Sequence, residues 1–167
     1  MPVTPETTAA HDPATAPDGA LAPVLAWYDA ISARDWDTLR ALVHPQMEFV
    51  VATGFPAGGR YVGPEAIFDD FFVRSFAAWN AITPAVDEIF AATGDVVVVR
   101  GRYVGRTKET DTPFDVPFAH LWRARDGRLT WLQQYIDTAV IQDAIAGREP
   151  AATRPPTVHT GGNREHQ

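Results

Sequence analysis

The sequence lacks cysteine altogether among its 167 residues. A disulfide framework, a thiolate nucleophile and a cysteine-ligated metal site are therefore excluded. Histidine is present, but no spacing such as H-x-x-x-H brings it together with carboxylates in a metal-ligand pattern. We consequently expect neither a metal nor another cofactor.

Positive charge is also scarce, with 14 Lys and Arg against 21 Asp and Glu and a formal net charge of −7. Phosphate binding needs clustered Lys and Arg, so we expect no nucleic-acid partner and no anionic-membrane partner. No apolar run approaches the ~20 residues that span a bilayer. The N-terminus also lacks the basic start and apolar core of a signal peptide. These features predict a cytoplasmic protein.

The two ends of the chain differ in composition from the middle. Every aromatic residue lies between positions 21 and 147, whereas both ends are rich in small residues and proline. Such ends bury too little apolar surface to offset the entropy lost on ordering. The sequence therefore predicts one domain over 21–147, between disordered tails at 1–20 and 148–167.

Hydrophobic periodicity places helices first and strands later. Apolar residues recur three or four positions apart, as in helices, over 21–33, 36–43 and 64–79, and in a short final helix over 139–146. Alternating patterns predict strands over 47–52, 83–92, 96–105, 114–125 and 129–138. The glycine-rich segment GFPAGGRYVG is either a loop or a loose hairpin. Segregated helices and strands of this kind indicate an α+β fold.

The strand predicted over 114–125 contains the most informative residue of the chain. Its positions 114, 116, 118, 120 and 122 share one face and are Phe, Val, Phe, His and Trp. His120 therefore lies within an aromatic wall. It is either an acid–base group in a pocket or a buried core histidine, and we favour the first because the whole face suits a pocket wall.

Two neighbouring strands add polar candidates. Pointing Arg100 and Arg102 outward avoids unpaired buried charge and turns Tyr103 inward. Gln134 faces inward on the last strand, where it orients His120 or a substrate, or bonds to the backbone. An intrinsic pKa near ~6.5 suits histidine to acid–base work, and a tyrosine hydroxyl can donate to a developing oxyanion. For Tyr103, simple packing in the sheet is the plainer interpretation.

Three segments carry a resemblance to a known superfamily: WYDAISARDWDTLRALVHPQMEF, RYVGPEAIFDDFF and PFAHLWRARDGRLTWLQQYIDTAVIQDAI. Over 21–147 the chain resembles the nuclear transport factor 2-like superfamily, in its SnoaL-like, ketosteroid-isomerase-related branch. The resemblance implies a cone-shaped, curved antiparallel sheet around a pocket that the N-terminal helices cover. It also implies a small apolar ligand and a homodimer. An apolar outer sheet face with Phe90, Leu121 and Trp131 fits the dimer.

The resemblance also implies site residues. The steroid isomerase's oxyanion-binding tyrosine falls at Trp27, with Tyr28 one position on. Its catalytic base falls at position 50 or 51, both valine, and its second oxyanion donor at 119 or 120, of which the histidine faces inward. The Asp-Arg-Asp set of the related epoxide hydrolase finds no carboxylate pair, since its last Asp falls at Gln134. A plain steroid isomerase and a limonene-type hydrolase are both disfavoured.

Together these features predict a cofactor-independent enzyme that applies acid–base chemistry to an apolar substrate, as a cyclase, isomerase, epoxide-opening enzyme or dehydratase. The Ala-, Arg- and Pro-rich composition suggests a role in bacterial secondary metabolism. The alternative is a non-catalytic ligand-binding or dimeric assembly module of the same fold.

The predicted catalytic residues are His120, Tyr103 and Gln134, and the predicted substrate-binding residues are Trp27, Tyr28, Phe72, Phe118 and Trp122. Asp69 and Asp70 are expected on a solvated helix face, although either could tip inward as a carboxylate partner of His120.

Overall fold

The computed structural model of the protein describes residues 18–92 and 95–148. Apart from residues 18–20 and 148, the two predicted tails lie outside the described residues. Residues 18–20 belong to the first helix, which begins three residues earlier than its apolar stripe predicts. No helix in the described part of the chain is long and apolar enough to cross a membrane.

Five α-helices and six strands make up the described fold. The α-helices are α1 (Asp18–Ala33), α2 (Trp36–Leu42), α3 (Gly63–Glu65), α4 (Phe72–Phe76) and α5 (Thr138–Ile145). A π-helical segment, Ala66–Phe71, joins α3 to α4 in one continuous helical stretch. The strands are β1 (Val43–Val51), β2 (Gly59–Val62), β3 (Trp79–Ala91), β4 (Val96–Thr107), β5 (Pro113–Arg125) and β6 (Arg128–Ile136).

Two boundaries differ from the sequence-based expectation. The third predicted helix ends at Phe76, and Trp79 already begins β3, because Ala78 accepts a hydrogen bond from the amide of Lys108 at 2.8 Å and so joins the sheet. Strand β1 begins at Val43, before Pro45, and its pairing with β6 is irregular between Val43 and Glu48. Proline lacks the amide hydrogen that a regular ladder needs. The glycine-rich segment proves to be a hairpin, with β2 paired antiparallel to β1.

The six strands form one sheet in the order β2-β1-β6-β5-β4-β3. Strands β3 to β6 form the expected antiparallel meander. The sheet is nevertheless mixed and not purely antiparallel as predicted, because β1 pairs with β6 in parallel. The helical stretch carries the chain to the far edge of the sheet, and the four-strand meander returns it beside β1 in the same direction.

The hydrophobic core lies between the inner face of this curved, unclosed sheet and the helices. Helix α1 contacts β3, β4, β5 and β6 and buries Val24, Trp27 and Tyr28 against them. Strand β4 contributes Val97 and Val99, as the outward placement of its arginines predicted. The structure confirms the α+β class and the covering of the sheet by N-terminal helices.

Candidate functional site

A cavity of about 90 Å³ lies between α1, the π-helical segment with α4, and the inner face of the sheet. Its walls are mostly aromatic and include Trp27, Tyr28, Phe49, Phe71, Phe72 and Trp122. The polar residues Ser75, Tyr103, His120 and Gln134 also line it. Room for several water-sized groups beside a few polar atoms is typical of a small-molecule site.

His120 is 3% exposed and is held from both ring nitrogens. The hydroxyl of Tyr28 lies 2.6 Å from Nδ1, and the hydroxyl of Tyr103 lies 3.3 Å from Nε2. The imidazole also stacks on the ring of Phe118, with centroids 4.0 Å apart and planes 15° from parallel. The ring therefore has one position and little freedom to turn.

The hydrogen-bond network assigns the tautomer of His120. Trp122 donates its indole N–H to Tyr28 Oη at 3.1 Å, since an indole N–H can only donate. The hydroxyl hydrogen of Tyr28 is then directed to Nδ1 of His120. In the opposite tautomer Nδ1–H would donate to Tyr28, whose buried hydroxyl hydrogen would have no protein acceptor within the described residues, a costly arrangement. Nδ1 is therefore the acceptor.

The same assignment of hydrogen-bond donors and acceptors determines the role of the Tyr103 hydroxyl at the cavity wall. A neutral imidazole that accepts at Nδ1 carries its proton on Nε2, so His120 donates to Tyr103 Oη. The side-chain amide of Gln134 also donates to Tyr103 Oη, at 3.4 Å, and its carbonyl oxygen accepts from the amide of Ala52 at 3.3 Å. Tyr103 Oη thus accepts twice. Among residues 18–92 and 95–148 no acceptor lies within hydrogen-bond distance of its own hydroxyl hydrogen, which can therefore donate into the cavity.

Burial decides the charge of the network. It lowers the pKa of His120 to about 3, so the imidazole is neutral at pH 7. Burial raises the pKa of Tyr28, with the nearby Tyr103 hydroxyl adding to the effect. It also raises the pKa of Tyr103 against the smaller opposing effect of the Gln134 hydrogen bond. The depressed histidine pKa differs from the near-neutral value that the residue type alone suggested.

No carboxylate lines the cavity in the part of the chain that the structure describes. Asp69 and Asp70, the candidates for a partner of His120, lie on the outer side of the π-helical segment. Asp69 pairs with Arg40, and Asp70 pairs with Arg74 at 2.5 Å. All four side chains are largely exposed, so these are solvated ion pairs and not part of the site.

The structure brings all the predicted site residues to the cavity wall except Phe118. The Phe118 ring lies behind His120 and supports it, which corrects its predicted role as a wall. The Phe118 ring has room behind His120 because the residue directly opposite on β4, residue 101, is glycine. A Cβ at Gly101 would lie 2.7 Å from Phe118 Cζ and 2.4 Å from the carbonyl oxygen of Ala85. Both distances are too short for a real contact.

Sequence reasoning missed the partner that matters most to His120. The sequence predicts Tyr28 as a substrate-binding residue, whereas its hydroxyl contacts the imidazole 92 positions further along the chain. Nothing in the sequence signals that contact beyond the apolar stripe of α1. Phe49 and Phe55 of the cavity wall were also missed; the alternation along β1 could have found Phe49, whereas Phe55 lies in the β1–β2 turn.

An aromatic cavity with a His–Tyr network, enclosed by a curved sheet and N-terminal helices, defines a ketosteroid isomerase-like architecture. The SnoaL-like domain family matches residues 24–132, and the chain belongs to that family. No curated protein sequence matches the chain significantly.

Solved structures show the same fold over nearly their whole length. An NTF2-like protein from Burkholderia thailandensis E264 is 29% identical, with 74% of this chain and 94% of that chain covered and a TM-score of 0.69. TerC co-crystallised with polyporic acid is 27% identical, with coverages of 78% and 99% and a TM-score of 0.70. A hypothetical protein with a ketosteroid isomerase-like fold from Catenulispora acidiphila DSM 44928, in complex with trimethylamine, is 26% identical, with coverages of 80% and 98% and a TM-score of 0.64.

Proposed function

We propose that this protein is a cofactor-independent enzyme that converts a small, largely apolar carbonyl compound, with Tyr103 donating a hydrogen bond to the substrate oxygen. The single observation that carries the proposal is the hydroxyl of Tyr103, which lies at the wall of an aromatic cavity within hydrogen-bond distance of His120 Nε2 and the side-chain amide of Gln134. His120 and Gln134 hold that hydroxyl by donating to its oxygen. The other aromatic side chains of the cavity bind the apolar body of the substrate.

The protonation states favour charge stabilisation over proton transfer by the protein. A hydroxyl whose pKa is raised by burial keeps its proton at neutral pH and can therefore donate a hydrogen bond to a developing oxyanion. Such a donor accelerates reactions that pass through an enolate. The α-carbon loses its proton to water, the C–H electron pair forms the carbon–carbon double bond of the enolate, and the carbonyl π pair moves to the oxygen. Tyr103 O–H stabilises this oxyanion until the resulting hydronium returns a proton to carbon and the carbonyl re-forms. Double-bond isomerisation and ring closure both use this step.

Relatives of the same fold support a small-molecule site. TerC was co-crystallised with polyporic acid, and the Catenulispora protein was solved in complex with trimethylamine. These two molecules differ greatly, so they support the use of the fold to hold small molecules and do not identify a substrate. We place the protein among bacterial cyclases or isomerases of secondary metabolism and in the cytoplasm as part of the proposal.

A non-catalytic ligand-binding module is the second candidate. It is favoured by the lack of a carboxylate on the cavity wall within the described residues, since no side chain there is a ready proton acceptor at pH 7. A binding module and an enzyme would share the cavity and the hydrogen bond from Tyr103. They differ in whether a bound ketone exchanges its α-protons.

Proton exchange of a bound ketone tests the enzyme. In D₂O, the α-protons of cyclopentanone, a ketone small enough for the cavity, should exchange faster with the wild-type protein than with buffer, as followed by proton NMR. Tyr103→Phe removes only the donating oxygen and should slow the catalysed exchange by about 10²-fold, the usual loss for one oxyanion donor. Tyr135→Phe is the matched control, because Tyr135 is 56% exposed and does not line the cavity.

Two outcomes would overturn the enzymatic proposal. If the wild-type protein binds the ketone without accelerating exchange, the binding module is the better description. If exchange is accelerated equally by wild type and Tyr103→Phe, the catalytic group is not the one assigned here. Thermal unfolding of each variant shows whether a loss reflects the site or the fold.

A further inference from the structure

The mouth of the cavity carries one arginine in an unusual backbone conformation. Arg34 directly follows α1 and lines the cavity, together with the exposed Ser32, Trp36 and Thr83. Its φ is 57°, in the left-handed region where glycine is preferred at the end of a helix. The turn is closed by the amide of Asp35, which donates to the carbonyl of Ala30 at 2.9 Å. A side chain other than glycine at this position therefore carries some conformational cost.

Arg34 also differs from most arginines of the described chain in having no carboxylate partner there. Arg100 pairs with Glu88 at 2.6 Å, and Arg106 pairs with Asp111 at 2.8 Å. Within residues 18–92 and 95–148, no hydrogen bond or ion pair from the Arg34 side chain is formed. It is the one charged residue that lines the cavity in that part of the chain. The mouth thus presents a cation that has no ion-pair partner among the described residues, beside an apolar space.

We propose that Arg34 binds an anionic oxygen group, such as a carboxylate, at the outer end of the substrate. The inference rests on the proposed function and narrows its substrate class to an aromatic or alicyclic keto acid. The ketone end enters the cavity toward Tyr103, and the apolar body lies against the aromatic wall. An anionic group has no cationic partner deeper in the cavity, so the acid end stays at the mouth. The planar guanidinium suits a carboxylate because it donates two parallel hydrogen bonds.

Two fluorescent probes that differ by a single charged group test this assignment. 1-Anilinonaphthalene-8-sulfonate is anionic, and N-phenyl-1-naphthylamine is its neutral counterpart without the sulfonate. Fluorescence titration of the full-length protein gives the affinity for each. Wild type should prefer the anionic probe, and Arg34→Gln should weaken that probe at least about fivefold with little effect on the neutral one. Raising NaCl from about 20 mM to about 500 mM should weaken only the anionic probe.

Two control variants remove the same charge elsewhere. Arg128→Gln changes an exposed residue at the β5–β6 turn and should alter neither affinity. Arg40→Gln changes the arginine beside a second apolar groove, formed with Trp36 and Phe68, where the anionic probe could also bind. A loss in Arg40→Gln without a loss in Arg34→Gln would place the probe in that groove and overturn the proposal.

The remaining outcomes separate this inference from the proposed function. If Arg34→Gln and Arg128→Gln weaken the anionic probe equally, or not at all, Arg34 is not an anion site, and the exchange reaction of Tyr103 is unaffected by that result. If neither probe binds wild type, the anion site at the mouth is overturned, whereas the cavity itself is tested separately by the exchange reaction. A melting temperature for Arg34→Gln at or above that of wild type excludes loss of fold as the cause.

Discussion

The pH dependence of stability will report the charge state of His120. Burial lowers its folded pKa to about 3, whereas an unfolded histidine has a pKa of about 6.5. Between these values the unfolded chain binds a proton that the folded protein does not. The stabilisation from neutral His120 is therefore complete above the unfolded pKa, falls as the pH is lowered, and is lost once the pH passes through the folded pKa.

The size of the effect follows from the shift. One pKa unit corresponds to about 1.4 kcal/mol, so lowering the pH from 7.5 to 5 should cost about 2 kcal/mol through this one group. The lowered carboxylate pKa values of Asp35 and Asp111 act in the same direction, chiefly because of hydrogen bonds from Thr38 and Arg106. Their unfolded values lie near ~3.9, so they contribute mainly below about pH 5. The interval from pH 5 to 7.5 isolates the histidine.

Urea unfolding monitored by tryptophan fluorescence measures this slope. The free energy of unfolding of wild type should fall by about 2 kcal/mol more than that of His120→Gln between pH 7.5 and 5. Glutamine cannot titrate, so contributions common to both proteins cancel. The variant should also be less stable at pH 7.5 by roughly 1–3 kcal/mol, because the hydroxyls of Tyr28 and Tyr103 lose their partner.

Equal slopes for the two proteins would refute the reasoning. So would an NMR titration in which the imidazole Hε1 resonance of His120 moves with a midpoint near 6.5. That resonance should stay in its neutral position from pH 5 to 8. The NMR measurement uses wild type alone, so it decides the question even if His120→Gln does not fold.

Two further predictions concern packing and association. Gly101→Ala should destabilise the protein by roughly 1–3 kcal/mol in urea unfolding, because the added carbon collides with Phe118. Gly19→Ala, where nothing lies within 4 Å, should leave stability unchanged or raise it by up to ~1 kcal/mol, and equal losses in both variants would contradict the account. We also infer a homodimer through the outer sheet face, where Phe90, Val98 and Leu121 lie side by side on β3, β4 and β5. Phe90→Asp should halve the mass measured by light scattering, whereas Val73→Asp on α4 should not; a monomeric wild type would rule the dimer out.

Local patterns were sufficient to predict most of the fold. The alternation along 114–125 correctly separated the buried Phe118, His120 and Trp122 from their outward neighbours. The outward placement of Arg100 on β4 was correct for the same reason. The parallel pairing of β1 with β6 was not predicted. The direction of a strand depends on the path of the chain between strands. The alternation of side chains along a strand does not encode that path.

The end of the third predicted helix also depends on a contact that local sequence patterns do not encode. The apolar period predicted a third helix running to Trp79, but the helix stops at Phe76. Its end is set by a hydrogen bond between the amide of Lys108 and the carbonyl of Ala78, which joins residues from different elements. The apolar period along one segment cannot predict a hydrogen bond to a residue from a distant part of the chain.

The amino-acid order by itself determined which side chains of each strand face inward, because that alternation is a property of the local backbone. It thereby placed His120, Tyr103 and Gln134 on a common face. Only the tertiary structure decided what these groups can do. The contact of Tyr28 with His120 depends on how α1 packs across β5. That packing sets the tautomer and the pKa of the imidazole, and it leaves the hydroxyl hydrogen of Tyr103 able to donate into the cavity.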